Sequence, residues 1–514
     1  MSLEAIEHYL SDGSRRGPAP AGAFSGAAGG APCGDLVRVS LAAERGRVVV
    51  ARFDAEGCAA TVAAGAALAE AAEGLSVLEV ARIGPPEVSA ALGGLSAQGR
   101  HAAELAADAL HRALAALASS RGRLADPPAS GDRVLVAMSG GVDSAAAALL
   151  ERERGADVVA VTLKLWADRR TDGARSCCSP QAVVGARALA HGMGIPHLTL
   201  DLEKGFRSTV VDGFLRGYAG GQTPNPCVVC NGEVRIDAML ALADRLGARA
   251  LATGHYARLA DDGHGPLLAA PADAAKDQTY MLSALRPESL ARLRFPLADL
   301  TKPRVRGLAA AAGLPVAGKR ESQDLCFLAG DGKRAFLARH ARLGERPGEI
   351  VDGSGRLVGR HLGHHNFTVG QRRGLGVAAG TPLYVLATDA AANRVVVGPR
   401  EELATRRVRL RDAVLRRGGD RVDRVKLRYR SRPIPCTVEA AAGRHDELSV
   451  DLAQPAYGVA PGQTACLMDG ELVVGHATIA EPPRAPQTVS TEATSAIGVA
   501  ASNEAHPYLD YVRP

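Results

Sequence analysis

The sequence has no uninterrupted apolar run approaching the ~18 residues that a membrane-spanning helix needs. Its first residues, MSLEAIEHYLSDGSRRG, lack the basic start and the apolar core of a secretory signal. Strong compositional bias is missing too, because 46% of the 514 residues are apolar and 23% are charged, which excludes wholesale disorder and collagen-like repeats. We therefore expect a soluble, cytoplasmic protein of three to four domains with no membrane partner.

A disulfide framework is also missing. The chain has nine cysteines, an odd number spread thinly over its length, and we see no export signal. Thiols in this setting are more often metal ligands or redox-active groups than disulfide partners. The cysteines lie at positions 33, 58, 177, 178, 227, 230, 326, 436 and 466.

Three breaks in composition divide the chain. Residues 13–32 are rich in Gly, Ala and Pro and indicate a flexible lead-in. The sequence DPPASG at 126–131 indicates an interdomain linker, and the residues after 479 have few large apolar side chains. We predict an N-terminal module over 1–125, a catalytic domain over 132–330, a central small β domain over 331–400, a C-terminal β-barrel domain over 401–481 and a disordered tail over 482–514.

The hydrophobic patterns predict a different fold class for each part. Between 132 and 330, apolar strands at 133–137, 157–163, 197–201 and 249–253 alternate with helices near 143–154, 180–193 and 231–246, which is typical of a parallel α/β sheet. After about residue 340 the apolar period becomes two, which predicts two small β domains. Residues 33–119 read as two strands followed by helices, an α+β module.

The first predicted strand of the α/β domain continues into the sequence MSGGVDS and then a helix. Two glycines permit a tight turn that brings backbone N–H groups near an anion, and the serines at 139 and 144 add hydroxyl donors. The helix N-terminus that follows favours negative charge. The Gly-Lys-Ser/Thr ending of a Walker loop is absent, so this is a phosphate cradle of another kind.

SGGVDS resembles the PP-loop of ATP pyrophosphatases, the adenine nucleotide alpha hydrolase-like enzymes that cleave ATP between its α and β phosphates. Four further motifs follow in order: TPNPCVVCN at 223–231, ATGHYAR at 252–258, KDQ at 276–278 and FTVGQRRGLG at 367–376. Together they resemble the tRNA-specific 2-thiouridylase family over about residues 132–480. That resemblance implies a tRNA-uridine 2-sulfurtransferase that uses ATP with Mg²⁺, a tRNA with a wobble uridine, and a sulfur donor such as a cysteine desulfurase or a relay protein.

The same resemblance implies roles for individual residues. Cys230 matches the nucleophile, Cys326 matches the cysteine that carries the persulfide sulfur, and Asp143 belongs to the catalytic loop. ATP binding is implied for Ala137, Met138, Ser139, Gly140, Gly141, Val142, Asp143, Ser144, Leu163 and Gly254. Contact with the target base is implied for Asn225, Pro226 and Cys227, and contact with tRNA for His255, Lys276, Asp277, Gln278, Arg428, Tyr429 and Gln463.

Two sulfur routes stay open at the sequence level. In the first, a cysteine persulfide transfers sulfur to the adenylated base and leaves a disulfide between Cys230 and Cys326. In the second, Cys227, Cys230 and Cys326 ligate three irons of a [4Fe–4S] cluster that carries sulfide. The second route is considered because position 227 is Cys in this chain, whereas some family members have Asp there.

The N-terminal module resembles the iron–sulfur scaffold family related to NifU and IscU, over about residues 30–120. That resemblance implies metal ligation by Cys33, Asp35, Cys58 and His101. The third scaffold cysteine, expected directly after the histidine, is Ala102 in this chain. The module is therefore either a zinc or iron site with a reduced ligand set or a docking platform. Since the nucleotide loop lies entirely after the linker, we expect residues 1–125 to be dispensable for ATP cleavage and to supply sulfur or iron.

Charge is distributed unevenly, although the net charge is only +6. The window 401–432 has 12 basic and 5 acidic residues and contains Arg428 and Tyr429. Such an excess is typical of a phosphate-binding surface or, alternatively, of a solvated arginine-rich strand surface. Two other functions stay open: another PP-loop adenylating enzyme, and an iron–sulfur scaffold or carrier with a vestigial nucleotide fold.

Overall fold

The computed structural model describes residues 3–30, 34–96, 99–129, 131–166, 179–319, 325–328 and 332–481. Cys33, Cys177, Cys178 and the tail predicted over 482–514 lie outside the described residues. Within the part of the chain that is described, no helix has both the length and the hydropathy that crossing a bilayer requires.

The N-terminal module is a three-stranded antiparallel sheet covered by helices, with the strand order β1-β2-β3. Its elements are α1 (Leu3–Ser11), β1 (Phe24–Gly29), β2 (Leu36–Glu44), β3 (Arg47–Glu56), α2 (Ala59–Ala72), α3 (Val77–Val80), α4 (Pro85–Ala91) and α5 (Arg100–Ala118). Helix α5 packs over β1 and β2 with a face made largely of alanine, which lets the helix backbone approach the sheet.

The prediction of a flexible lead-in over 13–32 is wrong for Phe24–Gly29, which form β1. A Cβ atom added at Gly26 would overlap the backbone of Ala109 and Ala113 in α5. The small residues of β1 therefore permit close packing of the helix on the sheet. Judged by composition alone, the same residues indicate flexibility.

The catalytic domain is built on a five-stranded parallel sheet in the order β10-β7-β4-β5-β6. Its strands and helices are β4 (Arg133–Ala137), α6 (Val142–Glu153), β5 (Asp157–Lys164), α7 (Pro180–Gly192), β6 (His197–Asp201), α8 (Glu203–Phe206), α9 (Asp212–Ala219), α10 (Pro226–Val229), α11 (Ile236–Arg245), β7 (Ala250–Thr253), β8 (Arg258–Asp261), β9 (Pro266–Ala269), α12 (Thr279–Leu282), α13 (Pro287–Leu290), β10 (Leu293–Arg294) and α14 (Lys302–Ala311). π-Helical turns at Arg207–Val211 and Cys230–Arg235 join α8 to α9 and α10 to α11. The four predicted strands of this domain are present, with bounds within one residue of those expected.

Two β domains follow α15 (Gly332–His340). The central domain has the strand order β12-β11-β14-β13, and the C-terminal domain is a barrel of six strands that closes because β15 pairs with both β18 and β20. The strands are β11 (Gly348–Asp352), β12 (Leu357–His361), β13 (Tyr384–Asp389), β14 (Arg394–Gly398), β15 (Ala404–Leu415), β16 (Arg424–Lys426), β17 (Ile434–Thr437), β18 (Gly443–Tyr457), β19 (Thr464–Asp469) and β20 (Leu472–Ile479). Strands β9 and β8 of the catalytic domain extend the barrel sheet beyond β20.

Helix α5 of the N-terminal module also packs on β6, the edge strand of the catalytic sheet. The backbone N–H of His197 in β6 donates to the carbonyl oxygen of Ala81 (3.1 Å). Leu110 and Leu114 of α5 belong to the same buried cluster as Leu198 and Leu200 of β6. An exposed edge strand invites pairing with other chains, and here the module covers that edge.

A buried polar layer accompanies this contact. The Nε2 atom of His111 lies 2.9 Å from the Ile83 carbonyl oxygen, and that of His191 lies 3.0 Å from the Ala81 carbonyl oxygen. Arg187 of α7 pairs with Asp108 of α5 (3.3 Å). Burial, reinforced by the charge of Arg187, lowers the pKa of both histidines, so the layer consists of neutral imidazoles and one ion pair.

Candidate active site and nucleic-acid interface

The nucleotide loop connects β4 to α6 and is held by its own serines. The Ser139 backbone N–H donates to Ser144 Oγ (3.1 Å), and the Ser144 hydroxyl donates to the Gly141 carbonyl (3.0 Å). Gly140 has φ +69°, a left-handed conformation that side chains rarely adopt. The loop therefore turns tightly, with Gly141 at the N-cap of α6, and directs the first N–H groups of that helix toward the space where an anion binds.

Gly254 and Thr162 fix the position of the loop on the sheet. A Cβ atom at Gly254 would lie 2.7 Å from the carbonyl carbon of Asp143 and from the Ser144 nitrogen, so only glycine permits this approach. The Thr162 hydroxyl donates to the Met138 carbonyl (2.7 Å) and lies 2.8 Å from His197 Nε2. The predicted ATP residues from Ala137 to Ser144 are thus brought together at the carboxyl end of β4, and Gly254 lies against them.

Two lysines absent from the sequence prediction contact this loop. Lys302, at the start of α14, donates to both carboxylate oxygens of Asp143 (2.7 Å each), and the Tyr256 hydroxyl donates to Asp143 Oδ1 (3.0 Å). Lys319 Nζ donates to the Gly140 carbonyl (2.9 Å). The only sequence signal for them is indirect: without the Walker lysine, a cation for the phosphates must come from another part of the chain.

The cysteine pair lies where α10 passes into a π-helical turn. Asn225 caps α10, because its Oδ1 accepts from the N–H groups of Cys227 (3.2 Å) and Val228 (3.4 Å), and Pro226 occupies the first turn. Cys227 is half-buried and Cys230 is buried. Single π-helical turns are frequent at functional sites, and this one changes the direction of the side chains that follow Cys230.

Cys326 begins a short 3₁₀ turn that is anchored by aromatic packing. Its neighbour Phe327 packs edge-on against Phe206 and Phe214, with ring centroids 5.9 and 5.1 Å away. The π-helical turn Arg207–Val211, between these two phenylalanines, contacts α10 and the turn that begins at Cys230. One helical segment, residues 203–219, therefore contacts both cysteine-bearing segments.

No three His, Cys, Asp or Glu side chains converge as a metal site within the described ranges. Cys227, Cys230 and Cys326, all three of which are described, are accordingly not gathered as one ligand set. The cluster route requires three thiolates to meet at one cluster. Both sulfur routes stay predictions.

In the N-terminal module, two of the four implied ligands lie together. Asp35 Oδ1 accepts from the Cys58 N–H (3.1 Å), and the Thr61 hydroxyl bridges Asp35 Oδ2 (3.1 Å) and Cys58 Sγ (3.2 Å). His101 instead pairs with Glu104 (3.9 Å). Cys33 lies outside the described residues, and Ala102 is buried at the position where a third thiol was expected.

An open cleft of about 520 Å³ lies where the catalytic, central and barrel domains meet. Gln463 of the barrel donates to the Thr223 carbonyl (2.7 Å), Thr223 Oγ1 lies 3.4 Å from Thr368 Oγ1, and Arg428 donates to the Val369 carbonyl (3.0 Å). The lining residues are Thr223, Thr368, Arg428, Tyr429, Arg430, Ser431, Ala460 and Gln463. Three residues predicted to bind tRNA therefore line one cleft.

Tyr429 connects this cleft to the cysteine site. Burial raises its pKa, while the charge of Arg430 lowers it and the charge of Asp277 raises it. The Tyr429 ring lies 6.2 Å from that of Tyr280, whose hydroxyl donates to the Thr464 carbonyl (2.7 Å). Tyr280 lies in α12, and α12 contacts α10, so Tyr429 is connected to the cysteine segment through Tyr280.

The remaining residues predicted to contact tRNA also hold the domains together. Asp277 pairs with Lys426 of the barrel (3.0 Å), and Gln278 Oε1 accepts from the Tyr256 N–H (2.9 Å). Lys276, in the same segment, contributes charge near Tyr429. Desolvation lowers the pKa of His255 to about 3, so it meets any partner as a neutral imidazole.

Four family models match the chain in order. They are the NifU-like N terminal domain over residues 4–123, the tRNA methyl transferase HUP domain over 132–330, the tRNA methyl transferase PRC-barrel domain over 334–399 and the aminomethyltransferase beta-barrel domain over 415–479. The bifunctional protein NifU/MnmA of Rubrobacter xylanophilus is 47% identical over 466 residues, which cover 88% of this chain and 93% of that protein. This chain belongs to the NifU/MnmA family.

Further relatives match the MnmA part. The tRNA-specific 2-thiouridylase MnmA of Bradyrhizobium diazoefficiens is 43% identical over 397 residues, covering 74% of this chain and 96% of that protein. The corresponding protein of Rhodopseudomonas palustris strain BisB5 is 46% identical over 348 residues, covering 66% and 86%. The expected fusion of a scaffold-like module with a thiouridylase is confirmed, as is the fold class.

In the C-terminal barrel, fewer basic side chains remain to bind phosphate than the sequence predicts, because many are paired with acids. Seven of the twelve basic residues in the window 401–432 form ion pairs, most of them with acids outside the window. Arg407 with Asp451 (2.6 Å) and Arg409 with Glu447 (3.2 Å) are cross-strand pairs between β15 and β18. For that part of the window, the alternative of a solvated arginine-rich strand describes the surface better than a phosphate-binding face.

We expect the tRNA phosphates to contact two exposed arginines, Arg430, which lines the cleft, and Arg432, two residues further along the chain. Replacing both with alanine should weaken tRNA binding and flatten its dependence on salt by about 1.4–1.8 units of log–log slope, because each lost phosphate contact removes roughly 0.7–0.9. Arg407→Ala with Arg409→Ala is the matched control, since these arginines are already neutralised by acids. Equal slopes for the two double variants, measured by salt titration of the tRNA dissociation constant, would contradict the assignment.

Proposed function

We propose that this protein is a tRNA-uridine 2-sulfurtransferase, which uses ATP and a sulfur donor to convert the wobble uridine of tRNA to 2-thiouridine in the cytoplasm. The main support is that an intact nucleotide loop and the Cys230 segment lie on one domain. The relatives of this chain are named NifU/MnmA and tRNA-specific 2-thiouridylase. Activation of the base by ATP and sulfur transfer by a thiol both need this combination.

The first proposed step is adenylation. The uridine 2-oxygen attacks the α phosphorus of ATP, the bond from that phosphorus to the bridging oxygen breaks, and pyrophosphate leaves. The loop N–H groups and the start of α6 hold the phosphates, because they are oriented before the substrate arrives. Mg²⁺ supplies further positive charge when it is bound with ATP, and the carboxylate of Asp143 is the acidic group that the loop offers.

The second proposed step is sulfur transfer. The outer sulfur of a persulfide on Cys326 attacks C2 of the adenylated uridine, and AMP leaves. The Cys230 thiolate then attacks Cys326 Sγ, which releases the 2-thiouridine sulfur and forms a Cys230–Cys326 disulfide. A two-electron reductant and a sulfur donor, such as a cysteine desulfurase or a relay protein, must restore the dithiol and the persulfide.

The N-terminal module offers one carboxylate and one thiol side by side in Asp35 and Cys58. The described residues alone do not complete a set of three ligands, and Cys33, another implied ligand, lies outside them. The match to the NifU-like domain model supports iron–sulfur binding by this module, and no step of the tRNA reaction is assigned to a cluster.

The proposed function is tested by incubating unmodified tRNA with the protein, ATP, Mg²⁺ and a sulfide or persulfide source, followed by mass spectrometry of the nucleosides. We expect 2-thiouridine at the wobble position and AMP in equal amount, and neither product when ATP is omitted. A PP-loop enzyme of another kind would release AMP without 2-thiouridine, and a scaffold protein would release neither.

A further inference from the structure

Two lysines contact the nucleotide loop from outside its motif. Lys302 contacts Asp143 at one end of the loop, and Lys319 contacts Gly140 at the other. They lie 159 and 179 residues from their partners in the chain. We propose that Lys302 and Lys319 bind the β and γ phosphates of ATP and stabilise the departing pyrophosphate. This proposal rests on the proposed function of the same site.

The position of Lys302 is set by the fold. Its backbone N–H donates to Asp273 Oδ2 (2.9 Å), which fixes the first turn of α14. Val305 and Ala309 of the same helix are packed in one buried cluster with Ala145 and Ala148 of α6. Helix α14 is thus held against the helix that follows the loop, which fixes the backbone of Lys302 beside the loop.

Hydrogen bonds from another side chain of α14 position Lys319. Arg306 of α14 donates through Nη1 to the Ala317 carbonyl (2.6 Å) and through Nη2 to the Lys319 carbonyl (3.1 Å). Helix α14 therefore holds the turn that carries Lys319 as well as Lys302. The Lys319 residue is exposed, so its amine reaches the loop from the solvent side, whereas Lys302 is only 8% exposed.

Electrostatics explains why these cations suit a phosphate. Burying an ammonium group is costly unless a partner compensates it, and without nucleotide Lys302 is compensated by the Asp143 carboxylate. A triphosphate bound in the loop presents more negative charge than one carboxylate and several more acceptor oxygens. Cleavage between the α and β phosphates adds negative charge to the leaving pyrophosphate, where a fixed cation contributes most. The charge that a Walker lysine gives in other nucleotide loops is thereby supplied from α14.

The test compares ligands that differ only in these phosphates. Lys302→Gln and Lys319→Gln should each weaken ATP binding about tenfold or more, because a charge-assisted hydrogen bond is lost. Both variants should leave AMP binding within about twofold of wild type, because AMP has no β or γ phosphate. Inhibition by pyrophosphate should weaken in parallel with ATP binding. Arg304→Gln is the matched control: it removes an exposed cation two residues from Lys302 on the same helix and should change none of these values.

The outcomes are separable. A purely structural role for Lys302 would lower the melting temperature and weaken ATP and AMP binding equally, and would overturn the proposal for that residue. If Lys302→Gln does not fold, the exposed Lys319 carries the test, and unchanged ATP binding in Lys319→Gln would overturn the proposal. A wild-type protein that binds ATP but makes no 2-thiouridine would refute the proposed function and leave the lysine assignment standing.

Discussion

Cys230→Ser and Cys326→Ser are each expected to lower 2-thiouridine formation by about a thousandfold or more, because a hydroxyl neither carries persulfide sulfur nor closes a disulfide. Adenylation does not use a thiol, so both variants should still release pyrophosphate in the presence of tRNA. The measurement is a single-turnover assay that quantifies pyrophosphate and 2-thiouridine in the same sample. Pyrophosphate release without thiolation is the diagnostic result.

Cys436→Ala provides the matched control for these two variants. Cys436 is packed in the barrel core, and burial raises the pKa of its thiol to about 12, so it stays protonated and unreactive. Its replacement should leave the rate of thiolation near that of wild type. Wild-type thiolation by Cys230→Ser or Cys326→Ser would contradict the assigned chemistry.

Cys227→Ser separates the two sulfur routes. Cys227 lies one helical turn before Cys230, on the segment predicted to contact the target base. If sulfur travels as a persulfide, this variant retains substantial activity. If three thiolates hold a cluster, it loses iron and activity together. Full activity of an anaerobically prepared, iron-free enzyme would eliminate the cluster route.

The nucleotide loop could be predicted closely because its information is local. The apolar strand, the two glycines and the helix that follows are adjacent in the sequence, and the structure starts α6 within one residue of the expected position. The charge of the barrel surface could not be predicted in the same way. The acids that neutralise Arg407 and Arg409 are on β18, and only the register of β15 against β18 reveals those pairs.

The lysines at the loop and the strand β1 were missed for related reasons. Nothing adjacent to Lys302 in the sequence indicates that α14 packs against α6. The small residues of β1 are required by the approach of α5, which begins more than 70 residues later in the chain. Both features depend on tertiary packing, which neither composition nor period encodes.

The contact between the N-terminal module and β6 changes an expectation drawn from the sequence. The position of the linker suggested that residues 1–125 are dispensable for ATP cleavage. In the structure these residues cover the edge strand β6, share a buried core with it, and lie against His197. His197 contacts the Thr162 hydroxyl, and that hydroxyl donates to the Met138 carbonyl of the nucleotide loop. Arg245 of α11 also donates to the Leu117 carbonyl at the end of α5 (3.2 Å). The module therefore supports the catalytic sheet along its β6 edge.

Deleting residues 1–125 should consequently lower the melting temperature of the remaining chain by at least about 10 °C, because several buried hydrogen bonds and an apolar face are lost and each kcal/mol shifts a domain of this size by roughly 2–4 °C. Asp108→Ala, which removes the shared partner of Arg187 and Arg112, should cost a few degrees. Asp54→Asn, on the exposed surface of β3, should cost nothing. ATP binding by the truncated chain should weaken as well, since the support behind Met138 is loosened. If the truncated chain has the melting temperature of the full-length protein and cleaves ATP at the full rate, this expectation is contradicted. The module would then be only a tethered carrier, whose loss matters solely when the sulfur donor is limiting.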